Sequence, residues 1–413
     1  MDLQKVMASV DKEALITLAM DLVNIPSPTG EEHRIAEFVA HRYRSLGLRT
    51  RLQEIEPNRY NVLGILEGDG TGVNLMFNGH MDTSYSGKEE YLAGDPAHQP
   101  KAYIEGDAIR GLGIWNMKGS DAAYIAAVQA VRKAGITLRG DVTLAAVAGE
   151  IEKGSVDGYQ GAEYRGAGAG TRYLVIHGGT ADMAVLGEPT AFHVVPATMG
   201  YVFSKITVRG KIQHTAFVTD HSQNAISKTA TVIRALEAWI PKYRSAHPYR
   251  GAEANVNITA IQGGWPTRSR TPLACGIFVD TRILPGQHPL TVKRELEGVL
   301  NTLRGQDPHL DADLEVFMTN PGTEISDGEP VVQATMRAHR AVFGTEPRLA
   351  VEGWSSDGSI LNRHGIPSVN YGPPGIYGQV RIDDLYRLAQ AYACIIADLC
   401  TVTRDEVLGD RHG

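Results

Sequence analysis

Four apolar runs, "YNVLGILEG", "GVNLMFNGHMD", "DVTLAAVAGE" and "MAVLGE", punctuate the first half of this chain, and a helical pattern from about Ser120 to Lys133 separates two of them. Runs of that length and apolarity fit strands buried on both faces, and their alternation with helices predicts an α/β layer sheet with helices on either side. In such sheets functional side chains gather at the carboxyl ends of strands. His80, Glu150 and Glu188 each stand at the end of an apolar run.

From about Gly200 the texture changes. "YVFSKITVRG", "ANVNITAIQGG" and "ACGIFVDTRILPG" read as strands, interleaved with helices over Asn224 to Trp239 and Leu290 to Leu303. That pattern predicts a small α+β sandwich. After Pro321 the α/β texture returns and ends in a helix from Ile382 to Thr401. The expected organisation is a discontinuous catalytic, metal-binding domain over 1–198 and 322–413, with a lid or dimerisation domain over 199–321 inserted into it. A chain of 413 residues is long for one compact unit, which agrees with two domains.

Bulk properties exclude some functions. A net charge of -7 without long basic runs gives nucleic-acid binding no electrostatic support. No window approaches the roughly 18 consecutive apolar residues of a membrane span. The amino terminus reads as an amphipathic helix stopped by Pro26 and lacks a signal-peptide-type stretch. Three cysteines without CxxC spacing, an odd number, argue against a disulfide framework and make a reducing cytoplasm the simplest location.

The chemistry concentrates on the strand ends. In "NGHMDTSYSG", His80 and Asp82 are two apart, so both side chains can point to one side, and a carboxylate commonly fixes the tautomer of a histidine ligand. "AGEIEKG" offers Glu150 and Glu152, and "LGEPT" offers Glu188. Each alone reads more readily as a solvated surface group. Together, at successive strand ends, they suit one borderline-hard divalent ion, manganese or zinc.

The blocks "GHMDT", "GLGIWNMKG", "AGEIEKG", "LGEPT", "GKIQHTA", "VDTRILPG" and "GIPSVNYGPPG" resemble, in order from about Ile25 to Leu399, the signature blocks of metallopeptidase family twenty. That family includes aminoacylases, acetylornithine deacetylases, desuccinylases and carboxypeptidases. The resemblance implies a zinc-peptidase-like mixed-sheet catalytic domain with two ions on five ligands. His80 matches the first ligand, Asp82 its orienting partner, Glu150 the general base and Glu188 a ligand of the first ion. Asn116 falls on the bridging aspartate and Ile151 on a ligand of the second ion. The fifth ligand, a histidine, has no counterpart in "IYGQVRIDD" after the "GPPG" block. A neutral carboxamide oxygen can bind one cation but bridges two poorly. One retained ion per subunit is therefore expected, with rescue of the second by Glu152 left open.

The resemblance also implies that His214 reaches across a homodimer to steady a developing oxyanion, and that Arg282 recognises a substrate carboxylate. Arg268 and Arg270 stand where many relatives carry asparagine. Trp115, Tyr201, Trp265, Trp354 and Tyr377 lie in or beside the blocks and are candidates to line an aromatic pocket. The expected substrate is a small anion whose C–N bond is hydrolysed by a water the ion activates. The most specific expectation is hydrolytic deamination of 5-nitroanthranilate to 5-nitrosalicylate and ammonia. Its rivals are an N-acyl amino acid deacylase or dipeptidase, and a catalytically inactive dimeric binding protein. Ser355, Ser356 and Asp357 in "GWSSDGS" are expected to shape their loop.

Overall fold

The computed structural model describes residues 2–92, 94–151, 166–264 and 269–409. The chain forms two compact units, one of residues 1–196, 325–350 and 356–413, the other of 197–324 and 351–355.

The first unit is built on a mixed sheet whose strands run in the order Arg49–Glu56, Arg59–Leu66, Val142–Val147, Leu75–His80, Met183–Leu186, Ser368–Asn370 and Val194–Thr198. The central strand Leu75–His80 pairs in parallel with Val142–Val147, His80 opposite Val147, and with Met183–Leu186, Asn78 opposite Leu186. Alternation along this strand sends its side chains to two different cores. Leu75 and Phe77 join the large core with helices Lys12–Val23, Gly119–Lys133 and Ile382–Leu399, whereas Met76 joins Leu174, Leu361 and Ile366 on the opposite face. The rings of Phe77, Tyr124 and Tyr392 lock the first face, with centroids 4.9 to 5.2 Å apart.

Two close approaches fix where this layer stops. Gly79 sits where a Cβ would lie 2.0 Å from Asp121 Oδ1, so only glycine lets the helix Gly119–Lys133 pack against the strand end. At Gly113 the backbone has φ +86°, and a Cβ would meet Thr83 Cγ2 at 2.9 Å. The following turn, Ile114–Lys118, carries Asn116.

The second unit is a four-stranded antiparallel sheet, ordered Val256–Gly263, Ala274–Ile283, Gly200–Arg209 and Asp311–Asn320. Helices Ala225–Ala246 and Pro289–Gln306 cover one face, burying Val232, Leu236, Leu296 and Leu300 against Val202, Ile206 and Ile277.

Two helix expectations change. The amino-terminal helix is split into Leu3–Ala8 and Lys12–Val23, because Asp11 accepts a hydrogen bond from the Ala14 N–H and starts a new helix. The helix expected to end at Trp239 runs on through Pro241 to Ala246. Among the described residues no helix is long and apolar enough to cross a membrane.

Candidate metal centre

His80 ends its strand fully buried, and its surroundings decide what its ring can do. Nδ1 lies 3.0 Å from the backbone oxygen of Asp82 and 3.5 Å from its carboxylate, so the partner foreseen in the sequence holds the ring through both groups. Such a contact fixes the tautomer with Nε2 free for a ligand. Nε2 lies 2.9 Å from Asn116 Oδ1, 3.8 Å from Glu188 Oε1 and 3.9 Å from Glu150 Oε2. Donor atoms of His80, Glu150 and Glu188 fall within 4.8 Å of one another. One imidazole, the Glu188 carboxylate and a carboxamide oxygen around a single point fit one divalent ion, with the Glu150 carboxylate close beside it.

Asp82 is itself completely buried and fully engaged. Its carboxylate accepts hydrogen bonds from the Thr29 hydroxyl at 2.8 Å and from the backbone N–H groups of Glu150 at 3.0 Å and Ile151 at 3.2 Å. One side chain thus ties the histidine strand to the loop that carries Glu150. Burial acts to raise the Asp82 pKa, but hydrogen bonding and the charge of His80, with those donors, bring it down to about 2. For His80, burial opposes the charged form. The hydrogen bond that His80 donates to Asp82 and the charges of Glu150, Glu188 and Asp82 outweigh it and carry the imidazole well above its ordinary range. A divalent ion competes for the nitrogen that this proton occupies.

The resemblance puts the ligands of a second ion at Ile151 and after the "GPPG" block. Ile151 offers its backbone N–H to Asp82 and no donor side chain, and the turn after the "GPPG" block carries Tyr377. Glu152, which could supply a replacement, lies outside the described residues, as do Trp265 and Arg268. Half-exposed Tyr377 stacks on His98, centroids 4.7 Å apart at 25°, and stands edge-on to Trp115 at 6.4 Å and Tyr85 at 6.2 Å. This ring cluster adjoins Asn116 through Trp115. Tyr85 and His98 escaped the sequence reading, as did Thr29, because nothing in their local pattern ties them to strand ends far along the chain.

The remaining candidates belong to the second unit. His214 accepts the Ala216 N–H at Nδ1, 3.2 Å, and forms an isolated backbone bridge with exposed Arg270. Arg282 pairs with Asp280 at 2.9 Å and lies over the rings of Tyr201 and Phe203, 5.8 and 5.9 Å from their centroids. Tyr201 is buried there, stacked on Phe203. Ser355 accepts a hydrogen bond from Asn320 within that unit, and Trp354 is half-buried. In the first unit Ser356 accepts the Gly358 N–H, and Asp357 is buried and accepts the Thr171 hydroxyl at 2.6 Å.

A layered α/β unit bearing this donor cluster at its strand ends, with an inserted sandwich, defines a metallohydrolase of the two-domain peptidase type. The chain belongs to peptidase family M20/M25/M40, whose model matches residues 76–398. It is accordingly a metal-dependent hydrolase of C–N bonds. N-formyl-4-amino-5-aminomethyl-2-methylpyrimidine deformylase of Bacillus subtilis (strain 168) is 27% identical, over 94% of each chain. Succinyl-diaminopimelate desuccinylase of Hahella chejuensis is 24% identical, over 94% of this chain and 97% of its own. The fold is shared with the dipeptidase Dug1p of Saccharomyces cerevisiae, with TM-score 0.77 at 11% identity, covering 96% of this chain and 98% of that one.

Proposed function

We propose that this chain hydrolyses a C–N bond of a small carboxylate bearing a flat ring, using one divalent ion per subunit, manganese or zinc. The observation that carries this reading is the donor set at His80 Nε2: Asn116, Glu150 and Glu188 surround it, while the second-ion position holds Ile151 and no histidine. The ring cluster of Trp115, Tyr377, His98 and Tyr85 beside Asn116 supports a planar substrate.

His80, Asn116 and Glu188 hold the ion, and Asp82 orients His80. The ion, when bound, acidifies water toward neutral pH and polarises the group under attack. Glu150, whose side chain keeps 11% exposure, accepts the proton of the attacking water and returns it to the departing nitrogen. His214 of the second unit serves as oxyanion donor and Arg282 and Arg270 as anion-recognising groups; Tyr377 contributes a ring wall. A homodimer formed through the second unit is supported by its exposed apolar residues Ile212, Phe217, Ile261 and Leu273. Three free, buried cysteines suit a cytoplasmic enzyme.

Two chemistries fall within this class. Attack on an electron-poor ring carbon turns 5-nitroanthranilate into 5-nitrosalicylate and ammonia. It needs a single activated water, because ring nitro and carboxylate groups take up the charge. Attack on an acyl carbon is favoured by the relatives, one of which is named for deformylation of an N-formyl aminopyrimidine compound. Metal-loaded protein incubated with 5-nitroanthranilate, N-formyl arylamines, N-acyl amino acids and dipeptides separates them. Ammonia from the first supports ring attack, and free amine from the others supports acyl attack. Turnover of none of them overturns the proposal.

A further inference from the structure

The turn "DPAHQP" places a carboxylate, an imidazole and two phenols in one arrangement. His98 Nδ1 lies 2.7 Å from Asp95 Oδ2, and Asp95 also accepts the Ala97 N–H at 3.0 Å. That pair orients the imidazole with a proton on Nδ1 and turns Nε2 away. Among the described residues Nε2 makes no hydrogen bond. The ring lies flat on Tyr377 at 4.7 Å and receives the edge of Tyr85 at 5.4 Å.

This turn is locked to the segment that carries Asn116. A Cβ on Gly378 would meet Ala97 O at 2.5 Å, so the turn rests directly on the backbone beside Tyr377. Leu112 donates its N–H to Gln99 O at 2.9 Å, and Gly111 donates to Gly378 O at 3.0 Å. Trp115, edge-on to Tyr377, precedes Asn116 directly. The His98 side chain retains 19% exposure, enough for a ligand to reach its edge.

We infer that Asp95 and His98, with Tyr377, form a subsite for an aryl carboxylate within the catalytic unit. His98 donates from Nε2 to the carboxylate, and the aryl ring packs on the Trp115 side of the cluster, because His98 already covers one face of Tyr377. The inference rests on the reading that the substrate is a ring-bearing carboxylate. With the Nδ1 proton engaged by Asp95, Nε2 donates only when it carries a proton of its own. The titratable neighbours facing it are Asp95 on its own turn, Tyr85 from the preceding loop and Tyr377 from the "GIYG" turn, and the charge of Glu89 acts on Tyr377. Binding is therefore strongest where His98 is protonated and falls as pH rises.

Calorimetric titration of the holoenzyme with benzoate tests this at about pH 6 and about pH 8.5. The expected result is tighter binding at the lower pH. His98→Phe keeps a flat ring without a donor and should weaken benzoate at low pH by about tenfold or more, removing the pH difference. Cyclohexanecarboxylate, without a π face, should bind the wild type more weakly than benzoate. His98→Leu, which also lacks a donor and is compared by thermal melting, serves if the phenylalanine variant does not fold. Unchanged affinity in the folded variant, or no benzoate binding to wild type, overturns the subsite. Turnover of the substrate panel is read separately. Turnover with unaltered benzoate affinity in the variant leaves the hydrolase reading standing, and benzoate binding without turnover does the opposite.

Discussion

The Nε2 atom of His80 lies 2.9 Å from the Oδ1 atom of Asn116, closer than it comes to Glu188 or Glu150. A neutral oxygen thus occupies the place nearest the ligand nitrogen. Asn116→Asp adds a negative charge there without altering the side-chain length. It should tighten ion binding by about tenfold or more. It should not raise the ion content above one per chain, because Ile151 still supplies no donor. Elemental analysis of both proteins checks this, and two ions in the wild type would refute the one-ion account.

Glu150 keeps a carbonyl oxygen when changed to glutamine but loses its capacity to take a proton. Glu150→Gln should leave ion content near that of the wild type and lower kcat by about 10²–10⁴-fold. Steady-state kinetics on whichever substrate the panel identifies gives the comparison. A variant that turns over at the wild-type rate removes Glu150 from the base role.

Thr29 lies in a loop more than fifty residues before Asp82, yet donates its hydroxyl to that carboxylate while fully buried. Thr29→Val has nearly the same shape and leaves Asp82 with the two backbone donors of Glu150 and Ile151. Loss of one donor to a buried charge should cost about 1–3 kcal/mol of stability and weaken ion binding by about 10–100-fold. Urea unfolding and titration against a chelator measure the two effects independently.

Much of the centre was legible because its residues obey the geometry of a layered sheet. His80, Glu150 and Glu188 follow strands that the sequence marks by unbroken apolarity, and parallel pairing of His80 with Val147 brings two of those ends side by side. What stayed hidden depends on contacts between distant loops of no regular period. Thr29 on Asp82, Thr171 on Asp357 and His98 on Tyr377 are such pairs. Helix limits also shifted where a local hydrogen bond outweighed the apolar pattern, as at Asp11.

Asp357 offers a test that depends on pH and not on turnover. Its side chain is buried behind the histidine strand, where it accepts the Thr171 hydroxyl, and Thr171 accepts the Asn78 amide at 3.0 Å. Burial raises its pKa to about 6, against the opposing effects of the Thr171 hydrogen bond and the His80 charge. An unfolded aspartate titrates near ~3.9. A carboxyl raised on folding favours the native state while it is protonated, so its contribution is complete below about pH 4 and is lost as pH rises through about 6. The loss is up to about 3 kcal/mol. Asp357→Asn keeps an acceptor for Thr171 and cannot ionise. Chelator-treated wild type should therefore lose stability relative to the variant between about pH 4 and pH 6, with a constant difference above that. Asp121, also raised by burial, to about 7, is present in both proteins and cancels in the difference. Urea midpoints measured across this range decide the matter: a difference that does not change with pH would mean that Asp357 ionises in its pocket as freely as in water.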